Sequence, residues 1–216
     1  MSADVELIAV LAALGAARIW YPGAVERMSL ARLPVGPDGI IPGAAPILLE
    51  STRTDLGVLL LHGFGDTPES VAPLAKALGA AGWTVHAPLL AGHGRTLREF
   101  ARSGGEQWLE SAREALRTMM ARGAPVAVVG QSLGGALAAI LAAEHPEVRS
   151  LTLLAPYFDA PAYVRAFARA APVAGAIAPY LVTIDHEGVA EIRQVLVDVG
   201  VPAAALERWP FVRGGA

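Results

Sequence analysis

Gly130-Gln131-Ser132-Leu133-Gly134 sets a hydroxyl between two glycines, one two residues before it and one two residues after it. A short apolar run, Val126 to Val129, precedes the motif, and an apolar stretch of helical length, Leu133 to Glu144, follows it. The serine therefore falls on a sharp strand-to-helix turn, the context that gives this spacing its meaning. Strand and helix pack closely across such a turn only if the flanking positions lack side chains, so Gly130 and Gly134 are expected as elbow glycines. The helix that begins at once leaves free backbone N–H groups beside Ser132, where they stabilise developing negative charge. The chemistry this suits is nucleophilic attack by the Ser132 hydroxyl. With no cysteine among the 216 residues, a thiolate nucleophile, a disulfide framework and a thiolate metal site are all excluded.

The elements that must position this serine follow from pattern. Hydrophobic residues make up 54% of the chain against 17% charged, which excludes a disordered chain and supports one sizeable core. Seventeen basic and twenty acidic residues give a net charge of −3 with no basic run, so nucleic acid is not an expected partner. From Ile47 onward, short runs rich in Val, Ile and Leu alternate with stretches of helical period. Ile47–Leu49, Gly57–Leu61, Trp83–Ala87, Val126–Val129 and Leu151–Leu154 read as strands, mostly continuous in apolar character as for strands covered on both faces. Val71 to Ala81 and Trp108 to Met120 read as core-facing helices ending at Gly82 and Gly123. Leu133 to Glu144 is apolar almost all round and is expected to be buried against the sheet. The fold class this predicts is α/β, a mostly parallel, doubly wound sheet with crossover helices.

Three motifs in order carry a family resemblance: His62-Gly63-Phe64-Gly65 with the helix start Pro68-Glu69-Ser70, then Ala87-Pro88-Leu89-Leu90-Ala91-Gly92-His93-Gly94, then Gly130 to Gly135. Over roughly Gly57 to Pro156 the chain resembles the α/β-hydrolase superfamily, in particular its bacterial carboxylesterases and monoacylglycerol lipases. The resemblance implies an α/β-hydrolase fold with a helical cap after the nucleophile domain. It makes Ser132 the nucleophile and the backbone N–H groups of Phe64 and Leu133 the oxyanion hole, with their side chains facing an acyl group. His62 precedes the nucleophile while this fold's base follows it, so His62 is expected to orient the oxyanion loop. His93 is expected to pin its own loop, and His86 and His145 to be strand-end and helix-end residues. No metal or cofactor is implied.

The same fold orders its triad as serine, acid, histidine. His186 is then the candidate base, with Asp159, Asp185 and Asp198 as candidate acids, although Asp185 also suits a helix N-cap. The two strands expected after a cap are not recognisable, so the chain reads as a C-terminally shortened hydrolase. The expected divisions are an N-terminal apolar helix at 1–21, a Pro/Gly-rich arm at 22–46 forming neither helix nor sustained strand, the hydrolase core at 47–157 and the cap at 158–216. The apolar run Leu7 to Ala17 is shorter than the roughly 20 residues that cross a bilayer. A cytoplasmic chain whose first helix lies on the domain or on a membrane surface is one expectation; a membrane anchor with Trp20 and Tyr21 as interfacial aromatics is the other. The expected activity is serine hydrolysis of a small lipophilic ester, a monoacylglycerol or short-chain acyl ester, through an acyl-enzyme on Ser132. The alternatives are an incomplete or non-catalytic member binding a lipid or partner chain, and aminopeptidase-type amide hydrolysis.

Overall fold

The computed structural model describes Gly15, residues 20–52 and residues 55–159. Residues 20–32 are helical (α1), which corrects the expectation of an arm without helix. Between Gly23 and Pro34 the chain holds neither glycine nor proline and is rich in Ala, Leu, Met, Glu and Arg, so helix propensity prevails until Pro34. Among the described residues no helix is long and apolar enough to cross a membrane. The run Leu7 to Ala17 lies outside them apart from Gly15.

Among the described residues five strands form one sheet: β1 (Ile47–Leu49), β2 (Gly57–Leu61), β3 (Thr84–Ala87), β4 (Val126–Gln131) and β5 (Ser150–Leu154), in the order β1-β3-β2-β4-β5. β1 runs antiparallel to β3, and all other pairings are parallel. The connecting helices are α2 (Pro68–Ala80), α3 (Leu97–Arg102), α4 (Gly105–Met120) and α5 (Leu133–Glu144). Successive residues of the central strands serve opposite faces. Leu59, Leu61, Val126 and Val128 pack with Leu116, Met119, Leu137 and Leu141 of α4 and α5, while Val58, Leu60, Val85, Ala87 and Ala127 pack with Val71 and Ala75 of α2. This double covering is why the strands read as unbroken apolar runs.

β2 is flanked in space by β3 on one side and β4 on the other, so the winding reverses there. Crevices outside the carboxyl ends of strands at such a reversal are where open α/β sheets bind ligands. His62 and Ser132 directly follow the carboxyl ends of β2 and β4.

Two local features refine the expectations, and α5 lies buried against the sheet as expected. α5 is buried along Gly134, Gly135, Leu137, Ala138 and Leu141 only, and Ile140 on its other side is 41% exposed. One helix face suffices to cover the sheet, so apolar character all round does not mean burial all round. α3 is an additional helix, and its start is marked by a local signal: Thr96 and Glu99 form a reciprocal capping box, each side chain accepting from the other's backbone N–H.

Candidate active site

Ser132 occupies the single residue between β4 and α5, with φ 51° and ψ −116° and no capping bond from its side chain. A non-glycine residue held there costs roughly 1–3 kcal/mol, which the surrounding structure must offset. Its neighbours show how. A Cβ on Gly130 would overlap the Gly134 carbonyl, and one on Gly134 would overlap the Leu61 and His62 carbonyls at the end of β2. The two glycines thus let α5 lie directly on the sheet at the turn. Ser132 donates its N–H to the Leu154 carbonyl at 2.9 Å, and its carbonyl accepts from Gly135 at 3.0 Å, Ala136 at 3.3 Å and Tyr157 at 3.1 Å.

Across from it, β2 runs into His62-Gly63-Phe64. A Cβ on Gly63 would sit 3.5 Å from the Ser132 Cβ, so the His62-Gly63-Phe64 loop and the serine are immediate neighbours. His62 is fully buried. The Leu90 N–H donates to its Nε2 at 3.1 Å, so Nε2 carries no proton, and Nδ1–H donates to the Gly63 carbonyl at 2.9 Å. Both ring nitrogens are committed to holding the loop, and His62 is not available as a base. Burial, with the nearby His93 adding to it, lowers its pKa to about 4.

Phe64 is 60% exposed, yet its ring rests on Phe100 at 5.1 Å and Trp108 at 5.6 Å, with His93 behind at 6.4 Å. Trp108 is itself fixed by Nε1–H donating to Ser103 Oγ at 3.0 Å, and His93 pins its own loop through Nδ1 and the Ala91 carbonyl at 3.1 Å. Aromatic contacts of this kind add about 0.5–1.5 kcal/mol each beyond area burial. This aromatic support from α3 and α4 has no signature in the sequence, where Trp108 reads as an ordinary core-facing position. Leu133, the first residue of α5, has no intrahelical acceptor for its N–H. Neither it nor the Phe64 N–H donates to another described backbone group.

A profile of the serine aminopeptidase S33 family of hydrolases matches residues 52–199. The chain belongs to this family. A thermostable monoacylglycerol lipase from Bacillus sp. (strain H-257) is 37% identical over 123 residues, 57% of this chain and 48% of that protein. A carboxylesterase from Bacillus subtilis (strain 168) is 37% identical over 82 residues, 38% of this chain and 33% of that one. The chain thus matches at most about half the length of these curated relatives. A solved metagenome-derived lipolytic enzyme superposes with a TM-score of 0.56 at 32% identity, covering 59% of this chain and 52% of its own. The monoacylglycerol lipase of Paleococcus ferrophilus, at 21% identity and TM-score 0.53, shares the fold over 78% of this chain and 63% of its own. The fold is the α/β-hydrolase fold.

In this S33 family member, Ser132, Leu133, Phe64, Gly130 and Gly134 come together around one turn. His145 caps the opposite end of α5, with Nδ1 3.4 Å from Glu147, and His86 lies within β3. Asp159 is exposed. His186, Asp185 and Asp198, and with them almost all of the expected cap at 158–216, lie outside the described residues.

The buried neutral His62 carries a consequence for acid stability. Its pKa is depressed on folding, so the unfolded chain binds its proton near pH 6.5 while the folded one does not until about 4. Stability is full above 6.5 and falls by about 1.4 kcal/mol per pH unit as the pH drops toward 4. His93 and His86, both lowered chiefly by burial, act in the same direction. The lowered carboxylates, such as Glu99 beside the Thr96 hydroxyl and Glu144 beside Arg113, add stability that is present above about pH 4.5 and is lost only below it. Urea unfolding between pH 6.5 and 5 is expected to show the loss, and His62→Gln, less stable at pH 7, to flatten the slope by about one proton. An unchanged slope in that variant would exclude His62 as its source.

Proposed function

We propose that this chain is a serine hydrolase cleaving carboxylic esters, a monoacylglycerol or short-chain acyl ester, through an acyl-enzyme on Ser132. The observation that carries the reading is the left-handed Ser132 held between β4 and α5, beside two N–H groups that donate to no described backbone group. In this mechanism Oγ attacks the ester carbonyl while His186 accepts its proton, and the oxyanion forms between the Phe64 and Leu133 N–H groups. Collapse releases the alcohol, which takes the proton from His186. Water, deprotonated by the same base, then releases the acid and regenerates the serine. The names of the curated relatives, lipase and carboxylesterase, favour ester over the amide that the family description suggests.

The test is intact-mass detection of labelling by a fluorophosphonate, on this chain and on Ser132→Ala. Rapid stoichiometric labelling that disappears in the variant is the expected result, with His186→Ala then losing most of the rate. No labelling of folded protein would overturn the reading and favour a non-catalytic lipid- or partner-binding role. Comparison of p-nitrophenyl butyrate with an amino-acid p-nitroanilide separates ester from amide.

A further inference from the structure

The ladder between β4 and β5 is regular up to Gln131 opposite Leu154. Carried one residue further, it sets Ser132 opposite Ala155, with the Ser132 N–H donating to Leu154 and the Ser132 carbonyl accepting from residue 156. The first bond forms, at 2.9 Å. The second cannot, because residue 156 is proline and has no N–H. The chain instead turns left-handed at Ala155, φ 45°, and the Tyr157 N–H reaches the Ser132 carbonyl at 3.1 Å.

Ser132 and Ala155 are the two non-glycine residues with positive φ among those described, and they are cross-strand neighbours in that extended register. Local preference does not account for Ala155. Alanine disfavours positive φ, and a residue preceding proline is driven toward extended backbone. The conformation is imposed by its surroundings, and strain of this kind gathers at functional sites. Pro156 is wedged against α5, since a Cβ on Gly135 would meet the Pro156 Cβ at 2.9 Å. Tyr157 is 47% exposed, and its amide is the group that bonds the Ser132 carbonyl.

We propose that the Ala155-Pro156-Tyr157 bend is a positioning device for the nucleophile: the Tyr157 amide replaces the one proline withholds and locks the Ser132 carbonyl, and with it the left-handed backbone that carries the hydroxyl. This rests on the reading of Ser132 as nucleophile. Ala155 and Tyr157 are positioning residues, acting through Ser132 and not on substrate.

Three variants separate the parts. Tyr157→Pro deletes the amide N–H, Tyr157→Ala keeps it, and Ala155→Gly removes the strain while freeing the bend. A fluorophosphonate concentration series gives the maximal labelling rate and the half-saturating concentration. Tyr157→Pro is expected to lose about tenfold or more in maximal rate at unchanged half-saturation. Tyr157→Ala should stay within about twofold of the parent. Ala155→Gly should label about threefold more slowly although its Tm is no lower. If Ala155→Gly labels at the parental rate, the bend is structural only and the proposal is overturned, whether or not Tyr157→Pro folds. Equal losses in Tyr157→Pro and Tyr157→Ala overturn it too. A parent that does not label overturns the hydrolase reading and the positioning role together. The Ser132 carbonyl 13C shift, moved by Tyr157→Pro and not by Tyr157→Ala, still reports the hydrogen bond in that case.

Discussion

Ser132→Ala is expected to lower ester turnover by about four to six orders of magnitude while leaving the melting temperature within about 2 °C of the parent. The first half follows from the proposed acyl-enzyme: without Oγ no covalent intermediate forms, and only oxyanion stabilisation and binding remain. The second half follows from the structure. The Ser132 side chain makes no capping hydrogen bond, so its removal leaves no helix-cap donor unsatisfied, and alanine suffers the same strain at φ 51°. Ser132→Gly is equally inactive but relieves that strain, and should melt above Ser132→Ala. Calorimetry of the three proteins beside their p-nitrophenyl butyrate rates checks both halves. A variant that loses activity only because it unfolds would remove the support for a nucleophilic role.

Gly134→Ala is expected to destabilise the fold by about 3 kcal/mol and to abolish labelling of Ser132. The added Cβ would lie 2.6 Å from the His62 carbonyl oxygen and closer still to that of Leu61. Both are backbone atoms at the end of a central strand, so relief requires moving α5 off the sheet or β2 out of its ladder, and either displaces Ser132. Gly57→Ala is the control. There the added Cβ would lie 2.6 Å from Met119 Cε, the far end of a flexible side chain, and the expected cost is roughly 1 kcal/mol with labelling retained. The urea midpoints of the two variants decide the comparison. Similar losses would show that packing at the elbow is no tighter than elsewhere.

A feature of this fold is legible in the amino-acid sequence when its signal is local. The bounds of α5, β1 and β2 follow from glycine, proline and apolar runs, and the structure places them there. The elbow is legible because glycine spacing encodes a backbone contact that no other residue permits. The antiparallel placing of β1 and the aromatic support behind Phe64 are not. They arise from pairings between distant segments, Ile47 with Ala87 and Phe64 with Phe100 and Trp108, that leave no periodic trace. The Ala155 bend is hidden for the opposite reason: alanine before proline suggests extended chain, and only the tertiary context reverses it. Helix α1 is masked by Pro22 and Pro34, although the ten residues between Gly23 and Pro34 contain no helix breaker.

The central pairing has a kinetic meaning as well. Gly57 stands opposite both Thr84 and Val126. Its first partnership closes one short βαβ unit, and Ala127 opposite Ser150 closes another. These low-separation contacts are entropically the easier to form, whereas joining β2 to β4 must close a much longer loop. The His62-Gly63-Phe64 loop and Ser132 belong to different units and meet along that late-forming join. Chemical competence should therefore trail secondary structure during refolding, and an ester-like probe added at intervals would capture the final step.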